Sequence, residues 1–328
     1  MKAIVYTKYG PPDVLQLKEV EKPAPKDNEV LVKVYAASAN PADWHMLRGE
    51  PFLARLNAGL FKPKNTILGI DIAGQVEAVG NNVTEFQLGD EVFGDCGWGG
   101  GFAEYVCVTE KNLGLKPTNI TFEEAAAVPV AAVTALQGLR DKGQIQAGQK
   151  VLINGASGGV GTFTVQIAKS FGAEVTGVCS TRNLDMVHSI GADQVIDYTQ
   201  EDFTQNGQRY DLIIDNVGNR SVSDFKRSLS PKGICVIIGF SSLVLLFQHM
   251  FLGPLISMTG SKKIGLMGTA NVNKKELGFL KELLEAGKVV PVIDRRYPLS
   301  EVAEAIRYLE EGHARGKVVI TLEHHNEY

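Results

Sequence analysis

The stretch Val151-Leu-Ile-Asn-Gly-Ala-Ser-Gly-Gly-Val-Gly161, followed by the run Thr162–Phe171, decides the fold. Val151-Leu-Ile-Asn154 has the character of a short buried strand, and the residues after Gly161 suit a helix. Ala156, Gly158 and Gly161 stand at the spacing of a G-x-G-x-x-G turn, with Ala in the first place. Such a turn takes the chain tightly from strand into helix, leaves bare backbone at Gly158, and lets the helix pack closely at Gly161. A pyrophosphate then rests on the amides and dipole of the helix start, held by Ser157 to Gly161 with Gly159 and Val160 between. A lone glycine turn says little, but here a strand precedes it, a helix follows, and another strand starts at Glu174. A dinucleotide site follows from that context.

Working outward on the C-terminal side, Glu174–Cys179, Gln194–Asp197, Asp211–Asp215 and Ile234–Ile238 are short apolar strands. Counting Val151–Asn154 as the first strand, the intervals between the first three strands, and between the last two, have room for helices, which implies a parallel sheet buried on both faces. The second strand ends Cys179-Ser180-Thr181-Arg182-Asn183 without an acid. An NAD site places a carboxylate there for the ribose 2′-hydroxyl, whereas hydroxyls and a guanidinium suit a 2′-phosphate. This favours NADPH. The plainer alternative is that Ser180 and Asn183 cap the next helix and Arg182 is solvated. Beyond residue 266 the pattern is a helix near Lys275–Ala286, a strand Val289–Ile293, a helix Ser300–Glu311 and a strand Lys317–Leu322.

Before Thr121 the character is different. Glu29–Tyr35 alternates with period two, Gly69–Gly80 reads as strand, turn and strand, and Leu88–Gly94 adds another turn and strand. Many short strands punctuated by glycine suggest a small barrel. Thr121-Phe-Glu-Glu124 is a capping box that opens an Ala-rich helical run, with Pro129 set to divide it.

Composition bounds the rest. At about 150 residues per domain, 328 residues suggest about two domains. Apolar residues at 44% and charged residues at 21% are ordinary globular usage. A formal charge of -4 without Lys/Arg clusters speaks against nucleic acid. Four scattered cysteines, with no C-x-x-C, argue against a disulfide framework and a cysteine-based structural zinc site. Met1-Lys-Ala-Ile-Val-Tyr6 enters a strand at once, so no signal peptide is expected and a cytoplasmic location is. Leu243–Ile256 is strongly apolar but broken by Gln248, His249, Gly253 and Pro254, too short for a spanning helix. It is expected to be a buried or subunit-facing loop and helix, or else a lid on the substrate.

The runs Gly69–Gly80, Gly89-Asp-Glu-Val92 and Ala156–Gly161, with Ala37–Trp44, Gly97–Tyr105, Pro129–Gln137 and Gly312–Lys317, resemble the medium-chain dehydrogenase/reductase superfamily. Within it they resemble the zinc-independent quinone oxidoreductase branch, over nearly the whole chain. The resemblance implies an α/β chain with a GroES-like β-barrel catalytic domain over 1–123 and 267–328, and a Rossmann doubly wound parallel sheet over 124–266. A substrate cleft would lie between them. It also implies that Ser180, Arg182 and Tyr198, with Thr181, surround the 2′-phosphate. Asn40 and Thr134 would lie near the nicotinamide, Gly239 and Phe240 beside its ribose, and Arg315 and Lys317 near the diphosphate. The positions that correspond to the Cys, His and Cys of the zinc enzymes are Asn40, Ile70 and Val130, and Ile and Val have no side-chain donors.

Without a metal, a hydride from NADPH must reach an already electron-poor carbon, which suits quinones and α,β-unsaturated carbonyls. Trp44, Trp98, Phe102 and Phe240 are candidate pocket walls, and Asp43, Asp71 and Tyr105 are polar residues near the relevant motifs. Solvent is an alternative proton source. Rival readings are an enoyl-thioester reductase, with Lys62, Lys64, Lys262 and Lys263 as a basic entrance, and an NADPH-binding scaffold with little turnover. A homodimer is expected, through edge-to-edge extension of the Rossmann sheet.

Overall fold

The computed structural model describes residues 1–52 and 55–324; positions 325–328, assigned above to the first domain, lie outside the described residues. Two units divide the chain, one of Met1–Ala131, Val272–Gly287 and Pro291–Tyr328, the other of Ala132–Asn271 with Lys288–Val290. Where the sequence analysis divides at 123/124 and 266/267, backbone contacts divide at Ala131/Ala132 and Asn271/Val272.

The first unit opens with β1 (Lys2–Val5), β2 (Gln16–Glu19), the long β3 (Glu29–Ala39), α1 (Pro41–Arg48) and α2 (Arg55–Ala58). It continues with β4 (Asp71–Val79), β5 (Glu91–Asp95), β6 (Tyr105–Thr109), β7 (Leu113–Leu115) and α3 (Phe122–Ala126). After α4 (Pro129–Gln137) the second unit runs β8 (Lys150–Asn154), α5 (Gly159–Ser170), β9 (Glu174–Cys179), α6 (Leu184–Ser189), β10 (Gln194–Asp197) and β11 (Tyr210–Asp215). It ends with α7 (Val222–Ser228), β12 (Leu229–Ile237), α8 (Leu243–Thr259) and β13 (Lys263–Leu266). The tail supplies α9 (Lys274–Glu285), β14 (Ile293–Pro298), α10 (Val302–Glu310) and β15 (Lys317–Thr321) to the first unit.

In the first unit β3 is long enough to serve two neighbours on one side. Its first half pairs with β6 and its last four residues pair with β15, while β4 runs along its other side. The sheet order is β14-β15-β3-β4-β5-β7 with β6 on β3, and the side chains between include Val32, Val34, Ile72, Phe102 and Ile306, all buried. Gly69–Gly80 is one strand rather than two. Gly74 lies within it and lets β3 approach closely, since a Cβ there would lie 2.1 Å from the Lys33 carbonyl oxygen. The capping box forms as read, with Thr121 N donating to Glu124 Oε2 at 2.8 Å and Glu124 N to Thr121 Oγ1 at 3.2 Å. The tail strand expected over Val289–Ile293 instead begins at Ile293.

The second unit is a six-stranded parallel sheet in the order β10-β9-β8-β11-β12-β13. Renumbered within the unit, this is the 3-2-1-4-5-6 order of a dinucleotide fold. Its own core holds Leu152, Val178, Phe203, Phe225 and Ile264. β13 is a sixth strand that the sequence pattern does not reveal. Leu243–Ile256 is not a buried segment. It lies within α8, a helix without a formally charged residue that exposes Leu243, Val244, Phe251 and Met258 and buries only His249 and Gly253. Among the described residues no helix is long and apolar enough to cross a membrane.

Candidate active site

Strand alternation assembles a polar row in the first unit. Ser38 on β3 is register partner of Asp71 on β4, and Asp71 is register partner of Asp95 on β5. Asn40 lies two residues past Ser38, and Lys317 opens β15, whose Val319 pairs with Ser38. Side chains two apart share a face, so these residues meet on one side of the sheet. Lys317 Nζ donates to Asn40 Oδ1 at 2.6 Å and lies 3.5 Å from Asp71 Oδ2. Asp71 Oδ2 also accepts from Asn40 Nδ2 at 2.9 Å and Ser38 Oγ at 3.1 Å, and Oδ1 accepts from the Val130 amide at 3.0 Å. Ser38, Asn40, Asp71 and Lys317 are all buried. Beside them Asp43 accepts from the amides of Asn40 at 2.8 Å and Gly69 at 3.0 Å, closing the first turn of α1.

Burial drives these charges toward neutrality. It pushes Asp43 up to about 7 against the pull of the two amides, and it raises Asp71 against the opposing pull of Lys317. Asp95, half-buried and held by the Gly97 amide, is likewise pushed up to about 7, first by burial and then by the Asp71 charge. Lys317 is lowered by burial, with Asp71 pulling it back. Tyr105 is not in this row: it begins β6, and its ring lies 3.8 Å from the Lys22 ammonium.

In the second unit, the turn after β8 has the shape a phosphate requires. Gly155 has φ +75°, and a Cβ at Gly161 would sit 2.0 Å from the Gly155 carbonyl oxygen, so only glycine lets the helix approach. At Gly158 the nearest atom to such a Cβ is 3.6 Å away, leaving that face of the turn open. Asn183 Nδ2 ties the turn to the end of β9, donating to Ser157 Oγ at 3.1 Å and Ser180 Oγ at 3.2 Å. Asn183 Oδ1 and Asn216 Oδ1 are buried acceptors without a donor, which ribose hydroxyls or a carboxamide would satisfy. The residues present therefore fit a nicotinamide dinucleotide. Gly239 packs against the loop after β11, since a Cβ there would meet the Asn216 oxygen at 2.2 Å.

The acid missing from the end of β9 is supplied from the next strand. Asp197, last residue of β10, is the register partner of Cys179. It accepts from Thr181 Oγ1 at 2.5 Å and Thr199 Oγ1 at 2.7 Å, bonds that hold it below the usual carboxylate range. Thr181 thus ties the loop after β9 to the end of β10 through its hydroxyl. Ser180 and the half-exposed Tyr198 keep their places at the same strand ends, with the Tyr198 amide on the Cys179 oxygen at 3.0 Å.

The aromatic candidates separate. Phe102 has no exposed surface and belongs to the first unit's core, which removes it from any pocket wall. Trp44 is partly buried and stacks on His45, whereas Trp98 and Phe240 are exposed. Thr134 is buried in α4, and the Arg315 amide donates to Asp294 at 2.8 Å. Lys262 donates to the Lys226 carbonyl at 2.7 Å.

The folds and the two polar sites together define a nicotinamide-dependent oxidoreductase. Residues 26–118 match the alcohol dehydrogenase GroES-like domain, and residues 190–320 match the family described as zinc-binding dehydrogenase. The chain belongs to the medium-chain dehydrogenase/reductase superfamily, in its quinone oxidoreductase branch. It is 39% identical over 338 residues to the 2-methylene-furan-3-one reductase of Solanum lycopersicum, covering 98% of this chain and 79% of that one. It is 36% identical, with the same coverage, to the chloroplastic NADPH-dependent alkenal/one oxidoreductase of Arabidopsis thaliana. The solved quinone oxidoreductase from Coxiella burnetii superposes with TM-score 0.85 at 33% identity, covering 98% of this chain and 99% of the other.

Proposed function

We propose that this chain is a zinc-independent, NADPH-dependent reductase of quinones or α,β-unsaturated carbonyl compounds. One observation carries the reading: at Asn40, which by the resemblance answers to the first cysteine of the zinc enzymes, Oδ1 accepts from the buried ammonium of Lys317 and Asp71 stands behind it. Ile70 and Val130 offer no side-chain donors, so the name of the matching zinc-binding family does not extend to the donor set here. A bound NADPH supplies a hydride. Conjugated acceptors need no metal, because conjugation already spreads the charge that hydride addition creates.

In this reading Ala156, Ser157, Gly158, Gly159, Val160 and Gly161 hold the diphosphate, and Ser180, Arg182 and Tyr198 face the 2′-phosphate. Asn40, Thr134, Gly239 and Phe240 flank the nicotinamide riboside. Arg315 is the cation for the diphosphate, whereas Lys317, which the resemblance gives the same role, is buried with its ammonium on Asn40 and beside Asp71; Trp44, Trp98 and Phe240 bound the substrate. The first unit is the catalytic domain and the second the NADPH domain. The name of the Arabidopsis relative supports the cofactor, and the names of the tomato and Coxiella proteins support the substrate class. Free thiols at all four cysteines fit a reducing compartment such as the cytoplasm. Among the described residues β13 pairs only with β12, and α8 beside it is apolar and exposed, which supports a homodimer through that edge. Light scattering at micromolar concentration tests the dimer.

The test of function is NADPH oxidation with a panel of quinones, enones and enoyl-thioesters, alongside elemental analysis. Turnover of quinones or enones in protein free of zinc supports the reading. Stoichiometric zinc with loss of activity on chelation overturns it. Turnover of enoyl-thioesters alone, or tight NADPH binding without turnover, selects a rival.

A further inference from the structure

The Ser38–Asp71–Asp95 row contains a feature that hydride transfer does not use. One step along from the Asp71/Asp95 pair, Cys96 N donates to Ile70 O at 2.7 Å. In an antiparallel pair the two kinds of site alternate, so Asp71 and Asp95 form a non-hydrogen-bonded pair, the kind whose side chains lie closer together. Like charges placed directly opposite each other are destabilising there. The partners are unequal. Asp71 is fully buried and fully hydrogen-bonded, whereas Asp95 is half-buried. Asp71 on β4 acts directly on Asp95, and the neighbouring Cys96 thiol feels Asp95, Asp71 and Asp43. The Lys317 ammonium on β15 stands by Asp71 and Asp43 rather than by Asp95, so a retained proton relieves the repulsion between the two facing carboxylates.

We propose that Asp71 and Asp95 share one proton, and that Asp95, the member that reaches solvent, is the residue through which the site takes up the proton consumed in each reduction. The proposal rests on the reductase reading for its second clause only. In the net step a hydride with its electron pair bonds to a substrate carbon, and the carbon–carbon π pair moves onto the conjugated oxygen. One O–H bond of the carboxyl pair breaks as one O–H bond forms on the product. The pair is then one proton short, and Asp95 regains it from water. No oxidant or reductant beyond the nicotinamide is required. Asp95 acts through Asp71 and is therefore a positioning residue. Its burial-driven shift to about 7 agrees with this but is secondary to the geometry.

The experiment is an infrared titration of the full chain with NADP⁺ bound, paired with kcat against pH. The variants are Asp95→Asn, Asp95→Ser and the conservative Asp95→Glu. In wild type a protonated-carboxyl band should fade as pH rises through about 7. Asp95→Asn and Asp95→Ser should lose the part of that band which Asp43 does not account for. Their kcat should fall by about a hundredfold, the scale of a lost proton-transfer group, and become flat with pH while KM for NADPH holds. Asp95→Glu should restore both. A band that titrates as in wild type in both Asn and Ser variants, or an unchanged shape of the kcat profile, would overturn the proposal. If no quinone or enone is reduced by wild type, the reductase reading fails, and the infrared titration still decides whether the proton is shared.

Discussion

Each unit buries one aspartate at a strand end, and the two are satisfied by different means. Asp215, at the end of β11, accepts from the Gly218 amide at 3.1 Å, the Val217 amide at 3.2 Å and Asn154 Nδ2 at 2.8 Å. All three donors are neutral, and together they pin the loop that follows the strand. Asp71, at the start of β4, takes one amide, one hydroxyl and one side-chain amide, but also stands by an ammonium and opposite a second carboxylate. A carboxylate held only by fixed dipoles is a fastener. One that shares its surroundings with a cation and another acid changes charge whenever a neighbour does, which is what a site that handles protons requires.

The sharpest way to break that contrast is to remove the cation. Lys317→Met leaves Asp71 buried without its partner and should destabilise the chain by about 3–5 kcal/mol, read from urea unfolding. Adding Asp71→Asn should recover part of the loss, because it removes the unpaired charge and keeps an acceptor for the Val130 amide and the Ser38 hydroxyl. Recovery of nothing would mean that Lys317 stabilises by packing alone. Next in size is the cofactor arm. Arg182→Ala should raise the dissociation constant of NADPH roughly ten- to a hundredfold and leave NADH nearly unchanged, while Asp197→Asn should tighten NADPH by lifting a negative charge from the pocket. Fluorescence titration of both cofactors separates these outcomes. Equal weakening of both by Arg182→Ala would show that the loop does not read the phosphate.

On the other side of the comparison, Asp215→Asn keeps one acceptor for the loop amides and removes the charge. It should cost only about 1 kcal/mol. A loss as large as that of Lys317→Met would make the two aspartates equivalent. The contrast also carries a pH dependence. Asp43 and Asp95 are pushed up to about 7 in the folded chain, whereas unfolded aspartates titrate near ~3.9. Between those values the folded chain binds more protons than the unfolded chain. Stability from these groups is therefore present at acid pH and is lost as pH rises toward about 7. Melting temperature should fall between about pH 4 and pH 7, and Asp95→Asn should flatten part of that slope.

The dinucleotide turn was legible because everything it needs lies within Val151–Phe171, and the capping box at Thr121 for the same reason. The polar row was legible only in fragments. Asn40, Asp71 and Lys317 each stand out near a motif, but their meeting depends on the register of β3, β4, β5 and β15. Register is set by pairing between strands far apart in the chain. Asp197 was missed for that reason: nothing local shows that the end of β10 lies beside Cys179. Phe102 was misplaced because an aromatic in a glycine-rich loop has the same one-letter appearance whether it lines a pocket or fills a core. β13 is too short and too close to Lys262-Lys263 to carry a strand signal, and the uniformly apolar composition of α8 does not show whether it packs inward or faces outward.

Lys317 stands on the final strand of the first unit. During synthesis at about 5–20 residues per second, the whole of the second unit leaves the ribosome before that lysine exists. The nascent barrel must therefore wait with Asp71 uncompensated, and it is expected to stay loose, protonated at that acid or guarded by a chaperone while its neighbour is already folded. A fragment that stops before β15 would contain the entire matched GroES-like region, residues 26–118, and still lack the charge that lets its centre close.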